Sequence, residues 1–441
     1  MKKYKITVII LLSMLIALGV LFYALPNKPT VSEEENRTLA ACPQFSFETI
    51  IDGSFMSDYT TYFSDNFPFR EQLIKIANII KGYKGTGGED DVQIVYTDNG
   101  AGAMEEVEDD VWLDDSQLDL GISEETENTN QEEQAEEEAP PQVAFDDGIS
   151  KNGIIVCGDT ALPMVAQSKK NIGFYTTVIN DFSNKYPDIN VYCGVIPLAS
   201  AYYLPEKFRT ERNDQRQMIK NVYDLLDEDV ITLDIYSNLE KHADEYIYLR
   251  TDHHWAGLGA YYAYEVFAQS LGEQPTPLSI YPKITYEGYL GTLYNKIGGN
   301  ASMRDNPDTL IAYEIPFQYE ARYWTNSNGS SFFTRPLVTD KMKSKNKYMA
   351  FTYGDHCVIN ITTPINNGRK LIVFKDSYAN AFVPFLVQHF SEIYVIDPRY
   401  AVPSISKVIE EEGITDVLYF TNITNTSVSK RIVELRRVSA S

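Results

Sequence analysis

Asp252, His253 and His254 stand side by side, and the two histidines are two of only five in a chain of 441 residues. A carboxylate and an imidazole two positions apart at a helix start lie within hydrogen-bonding reach. Asp252 can fix the tautomer of His254 and leave the other ring nitrogen to take a proton. These are the acid and the base of a nucleophilic triad. A nucleophile of the right type stands at Ser377, where the apolar run Leu371 to Phe374 gives way to Lys375 and Asp376, with a second apolar run from Ala379 to Phe390. The first run reads as a central strand and the second as a helix. Ser377 then lies at the carboxyl edge of a parallel sheet and at a helix amino end, where open α/β sheets bind ligands. There the amides of Ser377 and Tyr378 are expected to face charge developing on an acyl oxygen. A serine hydroxyl is a poor nucleophile unaided and needs a base such as His254.

Plainer roles compete. Ser377 can simply cap the helix, with Asp376 adding a charge that the helix dipole favours. Asp252, His253 and His254, with a distant His356, can be read as metal ligands. Neighbouring residues point in different directions, however, so two adjacent rings rarely reach one ion. No metal and no cofactor is assigned on this pattern. Trp255 reads as packing behind the histidine.

These residues need a frame, and the surrounding segments supply one. Helical spacing runs over 171–186 and 215–226, and an amphipathic helix follows the histidines over 255–271. Strand-like runs fall at 153–157, 189–196, 230–235, 348–353, 357–362, 370–374, 392–396 and 416–420, with a further helix at 405–412. Such alternation implies an α/β fold in which a parallel sheet is flanked by helices. Residues 275–347 are rich in Tyr, Gly, Asn and Pro without clear periodicity. They read as an irregular excursion with short antiparallel strands that roofs the site.

The flanking regions are of other kinds. Lysines at positions 2, 3 and 5 precede an uncharged run from Ile6 to Leu25, long enough to cross a bilayer as a helix. Positive charge before the run leaves the start in the cytoplasm and the rest outside, a single-pass anchor in the cell membrane over 1–27. A cleaved signal peptide is the alternative, but the run is long and lacks a small-x-small end. Residues 28–90 form a juxtamembrane segment of two amphipathic helices broken at Pro68, and 91–441 form the α/β domain, beginning with a strand at 91–96. Within it, 101–147 is an acidic insertion, read as disordered because it has too little apolar surface to offset its ordering entropy. The net charge of −24 owes most to 18 carboxylates between Met104 and Asp147, and without them 44 acids face 38 bases. A mildly acidic remainder argues against nucleic acid as a partner. Four scattered cysteines make no disulfide scaffold, although Cys157 and Cys193 can bridge if their strands are neighbours.

Taken together, Thr251-Asp252-His253-His254-Trp255, the upstream Glu34 to Ala40 and Asp65 to Arg70 segments, and the strand leading to Asp376-Ser377 resemble the DHHW protein family. That family is similar to the SGNH-hydrolase-like proteins of alginate O-acetylation. The resemblance implies an SGNH-like fold and an Asp252, His254, Ser377 triad, with His253 at a variable position. It also implies acyl transfer, most simply of acetyl, to a cell-surface polysaccharide, with a multispanning membrane O-acyltransferase as acyl donor. Hydrolysis of a carbohydrate ester uses the same groups. A catalytically silent glycan-binding or assembly protein is the alternative of another class. The sequence departs from the GDS pattern at Lys375, which stands where that pattern has glycine and whose side chain is expected to crowd the nucleophile or meet an anionic substrate.

Overall fold

The parallel half of the fold is built from apolar runs buried on both faces, which is what strands covered by helices on two sides require. In the computed structural model these belong to an eight-stranded sheet. Its strands are β1 (Asn190–Ile196), β2 (Val230–Thr232), β3 (Glu320–Trp324), β4 (Phe332–Thr334), β5 (Val358–Thr362), β6 (Lys370–Lys375), β7 (Glu392–Ile396) and β8 (Asp416–Asn422). The spatial order is β4-β3-β5-β7-β6-β8-β1-β2. Strands β7, β6, β8, β1 and β2 are parallel, whereas β5, β3 and β4 add to the β7 edge in antiparallel fashion. The sheet is therefore mixed rather than wholly parallel. The antiparallel strands come from the excursion at 275–347 and the run after it.

The structure describes residues 22, 31–32, 37–38, 42, 54–70, 149–151, 153–325, 329–400 and 402–441. Its helices of six residues or more are α1 (Ser54–Asp65), α2 (Lys169–Lys185), α3 (Gln215–Tyr223), α4 (Ile235–Glu240), α5 (Gly257–Ser270), α6 (Ile405–Glu412) and α7 (Ser429–Ser439). The first of the two expected juxtamembrane helices is α1, which ends before Pro68. The second, the strand at 91–96 and the insertion at 101–147 lie outside the described residues, as does the expected span from Ile6 to Leu25 apart from Phe22. No helix among the described residues is long and apolar enough to cross a membrane.

Ring contacts show which face each helix covers. Phe182 on α2 meets Phe374 and Tyr419 at 6.3 and 5.9 Å, while Phe267 on α5 meets Tyr192 at 5.3 Å. Tyr419 and Cys193 are register partners, so Tyr192, one residue away, points to the other face. The core is thus two layers of aromatic and aliphatic side chains with β6 and β8 between them.

Two expectations are corrected. The run at 153–157 does not join the main sheet but a separate three-stranded antiparallel one (149–151, 154–157, 160–163). Cys157 therefore has no strand neighbour in β1, and no disulfide joins Cys157 to Cys193. The run at 348–353 is not a strand. It holds a short 3-10 turn, Lys347–Ala350, and then Thr352, Tyr353 and Gly354, with φ of 52, 56 and 92°.

A hairpin of Lys283–Tyr289 with Asp308–Tyr313 lies outside the main sheet. Its buried Asp308 carboxylate accepts from the amides of Arg250 and Thr251 at 3.0 and 2.8 Å, from the Thr251 hydroxyl at 2.6 Å and from the Tyr246 hydroxyl. The hairpin thereby ties down the loop that leads into Asp252. Replacing Asp308 with alanine removes the acceptor of the Arg250 and Thr251 amides, while Arg250 keeps its ion pair with Asp159. Chemical denaturation of that variant is expected to show a loss of about 1–3 kcal/mol, and a loss under about 0.5 kcal/mol would contradict this role.

Candidate active site

The loop after the Ile247–Leu249 segment and the turn after β6 arrive at the same point. Their meeting is held by several cross-bonds. Trp255 Nε1 donates to the Tyr378 carbonyl at 2.9 Å, Tyr348 Oη donates to the same carbonyl at 3.1 Å, and Tyr378 Oη donates to the His253 carbonyl. Trp255 is fully buried and does more than pack.

Between these bonds sit the three residues named from the sequence. His254 Nε2 lies 2.8 Å from Ser377 Oγ, and His254 Nδ1 lies 2.7 Å from Asp252 Oδ1. The His254 amide also donates to Asp252 Oδ1, at 3.1 Å. Asp252 Oδ2 accepts from Tyr289 Oη and from the Thr292 amide, each at 2.8 Å. Burial alone would raise the Asp252 pKa. The neighbouring imidazoles of His253 and His254 and these donors outweigh it and hold the carboxyl below the ordinary carboxylate range. Burial and the Asp252 charge push the Tyr289 phenol well above its usual value, so it remains a donor to that charge. The His254 ring is stacked on Tyr348, 3.8 Å between centroids and 8° from parallel. A ring sandwiched in this way and bonded at both nitrogens has one orientation.

The question of what Ser377 caps is answered by Asp376. Asp376 is the N-cap, accepting from the Tyr378 amide at 2.9 Å. Its other oxygen takes bonds from the Thr421 hydroxyl, the Asn422 amide and side chain, and the Asn425 side chain at 2.7 to 2.8 Å. Ser377 Oγ is left to His254. The same bond removes one expectation: the Tyr378 amide is committed to Asp376 and does not face a developing oxyanion. The expected helix over 379–390 is also absent. Two 3-10 turns, Ser377–Ala381 and Val383–Gln388, stand in its place, and Pro384, which lacks an N–H and clashes with the preceding turn, accounts for the break.

Lys375 does not crowd the nucleophile. Its buried ammonium lies 2.7 Å from Asp355 Oδ1, 2.8 Å from Asn380 Oδ1 and 3.3 Å from Asp397 Oδ2. Arg399 bridges the same two aspartates. Burial raises the Asp355 carboxyl, but Lys375 and Arg399 prevail and hold it well below its usual range. The left-handed residues at 352–354 deliver Asp355 to this cage, and φ above zero at a β-branched threonine is strain that the surrounding structure must hold in place.

His253 and His254 do not diverge as adjacent residues were expected to. Their centroids are 3.8 Å apart, and their ligand atoms with that of Asp252 lie within 4.8 Å of one another. Both nitrogens of His254 nevertheless already have protein partners, and His253 Nδ1 is 2.6 Å from Thr292 Oγ1. Burial and the adjacent His254 lower the His253 pKa to about 3, so it is neutral at neutral pH. His356, far along the chain, is not part of this group.

Comparison with known proteins agrees with the motif. Residues 35–396 match the family described as DHHW protein. The chain belongs to the DHHW protein family. A DHHW family protein from Eubacterium siraeum is 34% identical, with a TM-score of 0.60 over 68% of this chain and 98% of that one. PatB1 of Bacillus cereus, in a structure with a sulfonyl adduct, is 20% identical, with a TM-score of 0.53 over 63% of this chain and 97% of that one. The O-acetyltransferase domain of Pseudomonas putida AlgJ is 15% identical, with a TM-score of 0.36 over 61% and 90% of the two chains. None of the curated proteins matches the chain. This DHHW chain thus shares its α/β fold with PatB1.

Tyr289, Gly291, Thr292 and Tyr348 were not singled out from sequence, and all four shape the site. Gly291 is the least forgiving. A Cβ there would lie 2.3 Å from Asp252 Cβ and 2.4 Å from Asp252 Oδ2. Gly291→Ala therefore displaces the acid of this DHHW protein. A shift of about 1 Å in a positioning group costs on the order of 10²-fold in rate. Steady-state kinetics on an activated ester are expected to show that loss, and a variant folded by circular dichroism with unchanged kcat/KM would refute it.

Proposed function

We propose that this protein is an SGNH-like O-acyltransferase of the cell surface, with Ser377 as nucleophile, His254 as general base and Asp252 as the group that orients it. In its simplest form it moves an acetyl group to a hydroxyl of a cell-surface polysaccharide. The observation that carries this reading is the unbroken line of hydrogen bonds from Asp252 through His254 to Ser377 Oγ.

The chemistry follows from that line. Ser377 Oγ attacks the acyl carbonyl carbon as its proton passes to His254 Nε2. The imidazolium so formed is stabilised by Asp252, which stays ionised. His254 returns the proton to the departing oxygen, and an acyl ester remains on Ser377. A sugar hydroxyl then gives its proton to His254 and attacks the ester, and the regenerated Ser377 takes that proton back. Water in place of the sugar gives hydrolysis with the same groups. A multispanning membrane O-acyltransferase is the class of partner that would supply the acyl group. The apolar run at 6–25 would hold the domain in the cell membrane as a single-pass protein facing outward.

A serine-directed fluorophosphonate separates an enzyme from a silent glycan-binding protein. Labelling is expected on the peptide bearing Ser377, to be absent in Ser377→Ala, and to slow by about 10⁶-fold in His254→Ala. An unlabelled wild-type protein that is folded would favour the silent binder. Acyl release without transfer to any oligosaccharide would mark an esterase.

A further inference from the structure

Beside Ser377 the structure has a cavity of about 170 Å³ at the carboxyl ends of β6 and β8, reaching the start of α7. Its depth is lined by Leu198, Phe374, Tyr419, Phe420 and Leu435, all of them buried, and by the half-buried Val428. Polar side chains also border it, but those nearest the nucleophile have protein partners. Thr421, Asn422 and Asn425 each donate to Asp376. Further round, Arg399 is held by Asp355 and Asp397, and Arg431 by Glu434 at 2.9 Å. What the cavity offers a ligand is therefore mostly apolar surface, with a nucleophilic hydroxyl on its wall. An alkyl chain needs no hydrogen-bond partner to fill such surface.

Resting on the acyl-enzyme reading above but replacing acetyl as the group carried, we propose that this cavity is the acyl pocket of Ser377 and that it selects an acyl chain longer than acetyl, of about four to six carbons. Size supports the number. An apolar cavity of roughly 150 Å³ admits a six-carbon ring, and this one is slightly larger. An acetyl group would leave most of it unfilled, and each unfilled methylene position forgoes the favourable transfer of that group out of water.

The test is a series of p-nitrophenyl esters with acyl chains of two, four, six and ten carbons, read on the full-length protein. In each reaction the Ser377 Oγ to carbonyl carbon bond forms as the bond to the nitrophenyl oxygen breaks. The serine proton travels through His254 to the leaving phenolate, and water then releases the acid. The expected kcat/KM rises by about fourfold per methylene from two carbons to six, the factor that burial of one methylene gives, and falls at ten. Val428→Phe, which fills the pocket, is expected to lower the ratio of hexanoyl to acetyl turnover by at least about tenfold. A wild-type profile that is flat or falls between two and six carbons overturns the chain-length assignment while leaving acyl transfer intact. No turnover of any ester, together with no fluorophosphonate label on Ser377, overturns acyl transfer itself and this pocket with it.

Discussion

The buried charge of Asp252 is the constraint on which the site depends. A carboxylate almost wholly shielded from water is tolerated only when its lone pairs are met by donors. Here four donors meet it: the ring and amide of His254, the phenol of Tyr289 and the amide of Thr292. Two of these come from the histidine it orients and two from the last residue of the 283–289 strand and the turn after it. The excursion at 275–347 is thus more than a roof, since it satisfies the acid. Gly291 belongs to the same requirement, because only a residue without Cβ lets the backbone come so close to Asp252.

The nucleophile has a matching arrangement on the other side. Asp376 takes five hydrogen bonds, four of them from residues at the end of β8 and just beyond it. This fixes the turn so that Ser377 faces His254 rather than capping its own helix. The two arrangements are joined by the bonds from Trp255 and Tyr348 to the Tyr378 carbonyl and from Tyr378 to the His253 carbonyl. Groups 123 residues apart in sequence are held in register in this way. Beneath them the parallel strands β6 and β8 present their carboxyl ends at the cavity, and the antiparallel extension past β7 carries Asp355 close enough to pair with Lys375.

Much of this was legible in the sequence. Asp252, His254 and Ser377 are where type and spacing placed them, because an i, i+2 acid and base and a strand-to-turn serine are local signals. Strands β1, β6, β7 and β8 and helices α2, α5 and α6 follow their apolar periodicity closely. What was not legible depends on partners distant in the chain. The joining of β3 and β4 to the main sheet and the antiparallel direction of β5 are matters of pairing, and residues 357–362 read the same in either direction. The 3-10 turns after Ser377 defeat a helical pattern because Pro384 lies inside it. Lys375 looked like an obstruction because Asp355 and Asp397, which enclose its ammonium, lie 20 and 22 positions away. Tyr289 and Tyr348 are two among 31 tyrosines, and only the fold distinguishes them. For the family itself, the tetrad with its neighbours was enough.

The central claim is that Ser377 carries the acyl group between donor and acceptor. The most direct measurement is rapid-quench mass spectrometry of the protein mixed with an activated short-chain ester. The account predicts a mass gain of one acyl group on the peptide bearing Ser377, absent in Ser377→Ala and formed about 10⁴-fold more slowly in Asp252→Asn. Ester turnover in the wild-type protein with no acylated peptide at any quench time, or with the group on another residue, would contradict it.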